Sequence, residues 1–240
     1  LYNSKGIHLS QGCHISSFKY KLSCRKMFLY WSNITSDIDG MMGGFSNLHH
    51  VDILFSKRFI QSLRKIKKFE FKKFLYHHER AIDCGCGVGR ITKNLLLPIF
   101  NTVDMVDITE EFIEKSAKYI GRENKRVGKK YISGLQDFVF LNNYYDIIWI
   151  QWVTGYLTDQ DLVKFMQQCK NGIKKGGCIV IKDNVSTNDK VFYDDEDASW
   201  TRPKDQIVDL CKQSGLKMIH DKKQQNFPDD MLPVYMIAFR

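Results

Sequence analysis

The sequence lacks the patterns that mark membrane-spanning, disulfide-stabilised and repetitive proteins. None of its 7 cysteines forms a C-x-x-C pair. We therefore expect no structural zinc site and no disulfide framework, and we predict a reducing intracellular location, the cytoplasm, the nucleus or both. No apolar run approaches the ~20 residues of a membrane span, and residues 1–30 lack a secretory signal. Because the chain starts at Leu1, its natural N-terminus is expected further upstream.

Composition and length fit a soluble globular protein. Hydrophobic residues make up 43% and charged residues 26% of the 240 residues, which excludes intrinsic disorder and fibrous repeats. A chain of this length can bury a sizeable core without metals or cross-links. The expected organisation is one α/β domain over residues 79–240, preceded by a tail and helical extension over residues 1–78.

Positive charge is concentrated in the N-terminal third of the chain. Residues 1–80 hold 14 basic and 5 acidic residues, whereas residues 81–240 hold 22 of each, so the whole excess of +9 lies before residue 81. The densest run extends from Arg64 to Lys73. Such a run could face nucleic acid or an anionic membrane. The favoured interpretation is a solvated helix face with lysines above an apolar stripe.

The order of elements predicts a doubly wound α/β fold. Before residue 80 we expect a loose tail, an amphipathic helix over 16–31, a glycine-punctuated loop over 39–44 and a long helix over 49–75. Strands and helices then alternate, which is typical of a mainly parallel sheet with helices on both faces. The predicted elements are strands over 80–83, 102–106, 146–150, 178–181, 216–222 and 233–239, a helix ending near 97, and helices over 110–120, 159–173 and 204–214.

A glycine-rich segment follows the first predicted strand. Gly85 and Gly87 lie in the turn between that strand and its helix, where a nucleotide-like cofactor contacts backbone N–H groups in doubly wound folds. The sixth position of the dinucleotide fingerprint requires a small residue, but Arg90 stands there. A guanidinium suits the carboxylate of an amino-acid-like ligand. No Gly-Lys-Ser/Thr follows, so a P-loop is excluded.

An acidic residue after the second predicted strand restricts the class of possible ligand further. Asp107 follows Gly85 at about the twenty-residue spacing of a ribose-binding acid. A ribose site combined with a loop unsuited to pyrophosphate indicates an adenosine ligand that carries an amino acid. S-adenosylmethionine has those parts, and a structural turn with a surface Asp is the alternative.

Two further strand ends carry candidate site residues. Gln151 and Trp152 follow the strand over 146–150, where Gln151 could hydrogen-bond a cofactor and Trp152 could pack on a substrate or a cation. Asn184 follows the next strand and precedes the acidic run Asp194–Asp197. The run could be a solvated loop, or it could hold a cationic substrate and accept a proton, and spacing alone leaves both open.

Several short motifs occur together along the chain, namely Trp31, Asp39–Gly44, Asp83–Gly85, Gly89–Lys93, Val106–Thr109, Leu135–Phe138, Ile150–Trp152 and Ile181–Asn184. With them the sequence resembles the eukaryotic alpha N-terminal protein methyltransferases, which modify Xaa-Pro-Lys N-termini. The resemblance extends from about Phe28 to Arg240. The Gly-Met-Met-Gly-Gly loop and the Ile-Gln-Trp motif are its most specific parts.

The resemblance implies a Rossmann-like, seven-stranded class I S-adenosylmethionine-dependent methyltransferase whose N-terminal extension contributes to the substrate channel. It implies a monomer or weak dimer that acts on protein or peptide N-termini beginning Xaa-Pro-Lys or Xaa-Pro-Arg, without a metal and without nucleic acid. The residues that it implies for the cofactor are Gly85, Gly87, Arg90, Asp107, Leu135, Gln136 and Gln151. Those that it implies for the peptide are Trp31, Met42, Gly43, Trp152 and Tyr156, with Asn184, Asp194 and Asp197 as the catalytic group.

The implied catalytic roles follow from amine chemistry. A free α-amine has a pKa near ~8 and is mostly protonated at neutral pH, so one carboxylate, Asp194 or Asp197, is expected to accept its proton. Asn184 would orient the amine. Three departures from the family pattern concern the substrate wall: Tyr156 replaces a His, Leu232 replaces a Tyr, and the segment from Asn184 to Asp194 is one residue longer.

Two other classes of function remain open from sequence. One is a methyltransferase of the same fold that acts on another amine, such as lysine, a small molecule or nucleic acid. The absence of an Asp/Asn-Pro-Pro-Tyr motif counts against adenine N6 and glutamine methylation. The other is a non-catalytic basic adaptor that binds RNA or anionic lipid through residues 57–80.

Overall fold

The computed structural model describes residues 25–63 and 79–240. The strands of this part of the chain are β1 Arg80–Cys84, β2 Thr102–Asp107, β3 Val127–Ile132, β4 Tyr145–Gln151, β5 Ile173–Asn184, β6 Phe192–Asp194, β7 Ser199–Thr201, β8 Met218–Lys223 and β9 Val234–Phe239. The helices are α1 over 25–32, α2 Ile38–Met41, α3 His49–Leu63, α4 Glu110–Ile120, α5 Asp159–Gly172 and α6 Lys204–Gln213.

Seven of the strands form one mixed sheet in the order β3-β2-β1-β4-β5-β9-β8. The first five strands run parallel, and β9 is antiparallel to both β5 and β8. Chain order reverses between β1 and β4, because β2 and β3 lie on one side and β5 on the other. In open α/β sheets the carboxyl edge at such a reversal forms the ligand-binding crevice.

The core lies on both faces of the sheet. Successive strand residues point to opposite faces, so Ile148 and Ile150 join one apolar cluster with Phe165 of α5. Trp149 points the other way and joins a second cluster with Phe59 of α3. Burial on both faces explains why the central parallel strands are almost continuously apolar.

Most of the predicted elements are confirmed. The strands beginning near 80, 102, 146, 178, 216 and 233 and the helices near 110, 159 and 204 are all present, with ends that differ by a few residues. The predicted helix ending near 97 has π-helical hydrogen bonding over Thr92–Leu96. The predicted glycine loop over 39–44 begins with the short helix α2.

Two features escaped prediction. Strand β3 pairs with β2 alone and is mostly half-exposed or exposed, so its sequence lacks the apolar run of a central strand. The acidic run lies on a two-stranded hairpin, β6 and β7, which is separate from the main sheet. Each hairpin strand has 3 residues, too few for a recognisable alternation.

Part of the N-terminal region lies outside the described residues. This applies to the predicted tail, to residues 16–24 of the first predicted helix and to residues 64–75, which include the basic run. The proposed boundary between residues 78 and 79 therefore stays a prediction. Among the helices that the structure does describe, none combines the length and apolar content needed to cross a bilayer.

Candidate active site

The glycine turn after β1 adopts backbone conformations that favour glycine. Gly85 and Gly87 have φ values of +71° and +53°, which L side chains rarely adopt. A Cβ atom on Gly85 would lie 2.9 Å from Val153 Cβ, and one on Gly87 would clash with Met41 Sδ. The turn is fixed to β2 because the amide of Gly85 donates to the Val106 carbonyl at 2.9 Å.

Asp107 at the end of β2 ties this turn to its neighbours. Its Oδ2 atom accepts a 2.8 Å hydrogen bond from the Gly87 amide, and its Oδ1 atom accepts a 2.9 Å bond from the Thr109 amide. Burial raises the pKa of the Asp107 carboxyl. The Asp107 carbonyl also accepts from the Ser133 amide at 2.9 Å, which brings the turn Leu135–Asp137 to the same edge of the sheet.

Asp83 in β1 is hydrogen-bonded to the helical segment that follows the glycine turn. Its Oδ2 atom accepts hydrogen bonds from the amide of Thr92 at 2.9 Å and from the Thr92 hydroxyl at 2.7 Å. Burial raises the pKa of this carboxyl to about 6. Asp83 therefore anchors the start of the following helical segment.

Arg90 is held by an acidic residue of the N-terminal extension. Its Nη1 atom donates to Asp52 Oδ2 at 2.7 Å, and the Gln151 Nε2 atom donates to Asp52 Oδ1 at 3.0 Å. The Gln151 Oε1 atom accepts from Trp149 Nε1 at 3.0 Å. Asp52 thus joins two residues that the sequence assigns to the cofactor.

Lys182 completes this buried cluster. Its Nζ atom lies 2.5 Å from Asp52 Oδ1 and donates to Ser56 Oγ at 2.9 Å and to Gln224 Oε1 at 2.8 Å. Burial opposes ionisation of Asp52, but the charges of Lys182 and Arg90 outweigh it and hold the pKa of Asp52 below its usual value.

Sequence reasoning missed Asp52. The buried face of α3 repeats at helical spacing and includes Asp52 and Ser56 among apolar residues. A carboxylate on an apolar helix stripe is a usable signal, because such groups are rarely buried without a partner. The signal identifies a buried charge, although it does not identify Arg90 as the partner.

Trp152 occupies a strained position beside this cluster. It is a non-glycine residue with a φ of +54°, a conformation that concentrates at functional sites. Its ring lies 5.2 Å from the Arg90 guanidinium carbon. Its indole Nε1 atom is buried, and no hydrogen-bond partner for it exists among the described residues.

Tyr156, in the loop after β4, contacts two other residues that the resemblance assigns to the peptide side, Trp31 and Asp197. Asp183 anchors this loop by accepting from the Thr154 amide at 3.1 Å. The Tyr156 hydroxyl then donates to Asp197 Oδ2 at 2.7 Å, and the Trp31 ring meets the Tyr156 ring edge-on at 6.0 Å. Burial and the negative charge of Asp197 raise the pKa of Tyr156 well above its ordinary value.

The acidic hairpin is less enclosed than the candidate cofactor side, which comprises Gly85, Gly87, Arg90 and Asp107. Asp195 pairs with Lys26 at 3.2 Å, and its side chain is 90% exposed. Asp194 accepts from the Glu196 amide at 2.8 Å. Burial, followed by the charges of Asp197, Glu196 and Asp194, raises the pKa of Tyr30. Tyr30 in turn meets Trp31 at 5.4 Å, so the hairpin faces the N-terminal helix α1.

The remaining candidates are Met42, Gly43 and Asn184, together with the departure Leu232. Met42 is buried directly after α2, and Gly43 is exposed with a φ of +58°. Asn184 ends β5, and its amide donates to Asp183 Oδ1 at 2.9 Å. Leu232 is 42% exposed. Among the described residues, none of their side chains hydrogen-bonds to Tyr156 or Asp197.

The cofactor side fits S-adenosylmethionine in its chemistry. It combines the glycine turn at Gly85 and Gly87, a carboxylate at the end of β2 and a guanidinium after the turn. Among the described residues, Arg90 is hydrogen-bonded through its Nη1 atom alone. The other guanidinium N–H groups are donors that suit a carboxylate.

Comparison with known proteins gives one consistent result. A family model described as "AdoMet dependent proline di-methyltransferase" matches residues 19–240. An N-terminal Xaa-Pro-Lys N-methyltransferase 1-B from Xenopus laevis is 47% identical, covering 88% of this chain and 92% of the relative. An Alpha N-terminal protein methyltransferase 1 from Caenorhabditis elegans is 46% identical, covering 88% of this chain and 87% of the relative.

A solved structure agrees with the fold. A SAM-dependent methyltransferase from Leishmania major superposes with a TM-score of 0.82 at 32% sequence identity, covering 91% of this chain and 82% of that one. The predicted class I methyltransferase fold is therefore confirmed.

Proposed function

The chain belongs to the family of AdoMet-dependent proline di-methyltransferases, and from that premise we propose that it methylates the α-amino group of protein N-termini that begin Xaa-Pro-Lys or Xaa-Pro-Arg. The names of its relatives support this substrate class. S-adenosylmethionine supplies the methyl group when bound. The chain acts inside the cell, as a monomer or a weak dimer.

The residues that would hold the cofactor lie along the carboxyl edge of the sheet. Gly85 and Gly87 offer their backbone, and Asp107 offers carboxylate oxygens for ribose hydroxyls. Arg90 would pair with the amino-acid carboxylate. The other residues assigned to this side are Leu135, Gln136 and Gln151.

The observation that carries the proposal is that Tyr156 contacts both Asp197 and Trp31. The phenol from the loop after β4 is hydrogen-bonded to an acidic group of the hairpin, and its ring meets an aromatic ring from α1 edge-on. A carboxylate beside aromatic rings attracts an ammonium group through charge and through the faces of the rings. In this proposal Trp152, Met42 and Gly43 also line the peptide channel.

Proton removal is the chemical task of the acidic residues. The substrate ammonium must lose a proton before its nitrogen can attack, and Asp197 or Asp194 accepts that proton directly or through water. Tyr156 keeps its own proton because its pKa is raised, so it orients Asp197 and does not act as a base. Asn184 orients the amine. Positioning of the amine in line with the methyl group supplies much of the rate.

The test is methyl transfer to matched peptides. Labelled S-adenosylmethionine is offered with a peptide beginning Ser-Pro-Lys, with the same peptide acetylated at its N-terminus, with free lysine and with RNA, and mass spectrometry locates the methyl groups. Transfer to the free-amine peptide alone is expected. Equal transfer to the acetylated peptide would assign the activity to the lysine side chain. Transfer to RNA or to free lysine would replace the proposed substrate class.

A further inference from the structure

We propose that Asp52 is a positioning residue for the cofactor, which fixes the guanidinium of Arg90 so that its free edge meets the cofactor carboxylate. The inference rests on the proposed function, because Arg90 contacts a cofactor only in that proposal. It assigns a role in cofactor binding to a residue of α3, an element outside the sheet and its glycine turn.

The geometry makes Asp52 the common support of both cofactor-side groups. Its carboxylate accepts from Arg90 at 2.7 Å and from Gln151 at 3.0 Å. The side chains of Asp52 and Arg90 are 0% and 4% exposed, so water does not compete for the pair. Such charge-assisted bonds between enclosed partners fix direction as well as distance.

Arg90 is the group of the hydrogen-bonded cluster that would attract an anionic ligand. Asp52 is the one acidic residue that is hydrogen-bonded to Arg90 and Lys182 in the described part of the chain. Burial lowers the pKa of Lys182, and burial and the charge of Arg90 lower the pKa of His49, 3.3 Å from Arg90. The guanidinium of Arg90 therefore supplies the positive charge for a ligand carboxylate.

Orientation is the second requirement, and Asp52 meets it together with Trp152. Asp52 holds the Nη1 atom, and the ring of Trp152 lies 5.2 Å from the guanidinium carbon. The guanidinium of Arg90 is thus restrained by the hydrogen bond at its Nη1 atom and by the neighbouring ring of Trp152. Its other N–H donors keep a defined direction toward a ligand.

A purely electrostatic role predicts the opposite sign of effect. Removing the negative charge of Asp52 would leave Arg90 and Lys182 without a counter-charge and would strengthen the attraction for a carboxylate. Removing the restraint on Arg90 would weaken binding of that carboxylate. The two roles therefore differ in the direction in which affinity changes.

The experiment compares two ligands by calorimetric titration of the full chain. S-adenosylhomocysteine carries the amino-acid carboxylate, and 5′-methylthioadenosine lacks it. With Asp52→Asn we expect roughly tenfold weaker binding of S-adenosylhomocysteine, the size expected for a lost charge-assisted hydrogen bond. Binding of 5′-methylthioadenosine is expected to change by less than about twofold. A merely structural role would weaken both ligands equally.

Two further variants keep the result interpretable. Ser56→Ala removes a contact to Lys182 on the same helix face and is the matched control, with unchanged affinity for both ligands expected. If Asp52→Asn unfolds, Asp52→Glu keeps the charge and moves the carboxylate, and it should weaken S-adenosylhomocysteine selectively. Equal losses for both ligands, or unchanged or tighter binding of S-adenosylhomocysteine, would overturn the inference. A wild-type chain that binds neither ligand would overturn the proposed function instead.

Discussion

The cofactor side and the peptide side of the candidate site are built in different ways. On the cofactor side, Asp83, Asp107 and Arg90 are bonded to backbone amides or buried side chains that belong to or lie against the sheet. On the peptide side, Asp197 lies on a separate hairpin and reaches the sheet edge through Tyr156. Many hydrogen bonds within and against the sheet therefore define the first side, whereas few contacts between separate elements define the second. Changes on the peptide side should affect turnover, and changes on the cofactor side should affect stability and affinity.

The largest expected effect is on turnover at the hairpin. Asp197→Asn keeps the shape of the side chain but removes the proton acceptor, so we expect kcat to fall by about 10²–10⁴-fold. Calorimetric binding of S-adenosylhomocysteine should stay unchanged, because the cofactor side is intact. Asp195→Asn, in the same turn with a 90% exposed side chain, is the matched control and should retain turnover. Retained turnover in Asp197→Asn would transfer the role to Asp194.

The next effect is a pH dependence of stability that Asp83 controls. Its pKa of about 6 lies above the ordinary 3.8, so folding favours the protonated carboxyl. This favourable contribution is complete below the unfolded pKa and is lost as pH rises through about 6. We expect wild type to lose about 2 kcal/mol relative to Asp83→Asn between pH 4 and pH 7. Urea unfolding of both proteins at several pH values measures the difference, and parallel curves would contradict it.

A smaller effect on stability and on cofactor affinity is expected from substitutions at glycines with positive φ. Gly87→Ala places a side chain at a φ of +53° and against Met41. We expect about 1 kcal/mol of lost stability and roughly tenfold weaker S-adenosylhomocysteine binding through a displaced bond to Asp107. Gly176→Ala, with a φ of +95° and open space around the added atom, should lose stability alone. Equal affinity losses in both variants would show that the turn at Gly87 is not part of the cofactor side.

The smallest expected effect concerns the phenol on the peptide side. Tyr156→His replaces a group that stays protonated with one that titrates near ~6.5. Above that pH we expect the methylation rate of Tyr156→His to be about threefold higher than that of wild type, and below it we expect the two rates to be equal. Tyr156→Phe removes the bond to Asp197 without adding a base, so its rate should fall equally across pH 6–9. Superimposable pH profiles for wild type and Tyr156→His would exclude this position from proton removal.

Local sequence signals predicted the strand, the glycine turn and the acidic residue at the start of the sheet. Gly85, Gly87 and Asp107 were identifiable because a strand, a turn and a second strand follow one another along the chain, and the structure joins them by short hydrogen bonds. The seven-stranded sheet itself followed from the resemblance, since edge strand β3 has no apolar run of its own.

Long-range pairing limited what the sequence could predict. Asp52 and Lys182 are 130 residues apart, and neither neighbourhood indicates that the two side chains meet in the interior. The acidic run presented the same difficulty, because only the fold places Asp197 against Tyr156. Local patterns identify which residues carry charge, but tertiary packing decides which of those charges pair.

The distribution of the tryptophans gives this protein a built-in optical reporter. All 4 tryptophans lie in the described part of the chain. Trp149 donates a hydrogen bond to Gln151, and the ring of Trp152 lies beside the guanidinium of Arg90. Trp31 and Trp200 lie on α1 and on the hairpin. Intrinsic fluorescence should therefore respond to ligands without any attached dye. Replacing these tryptophans one at a time with Phe would show which part of the fluorescence change comes from the cofactor side and which from the peptide side.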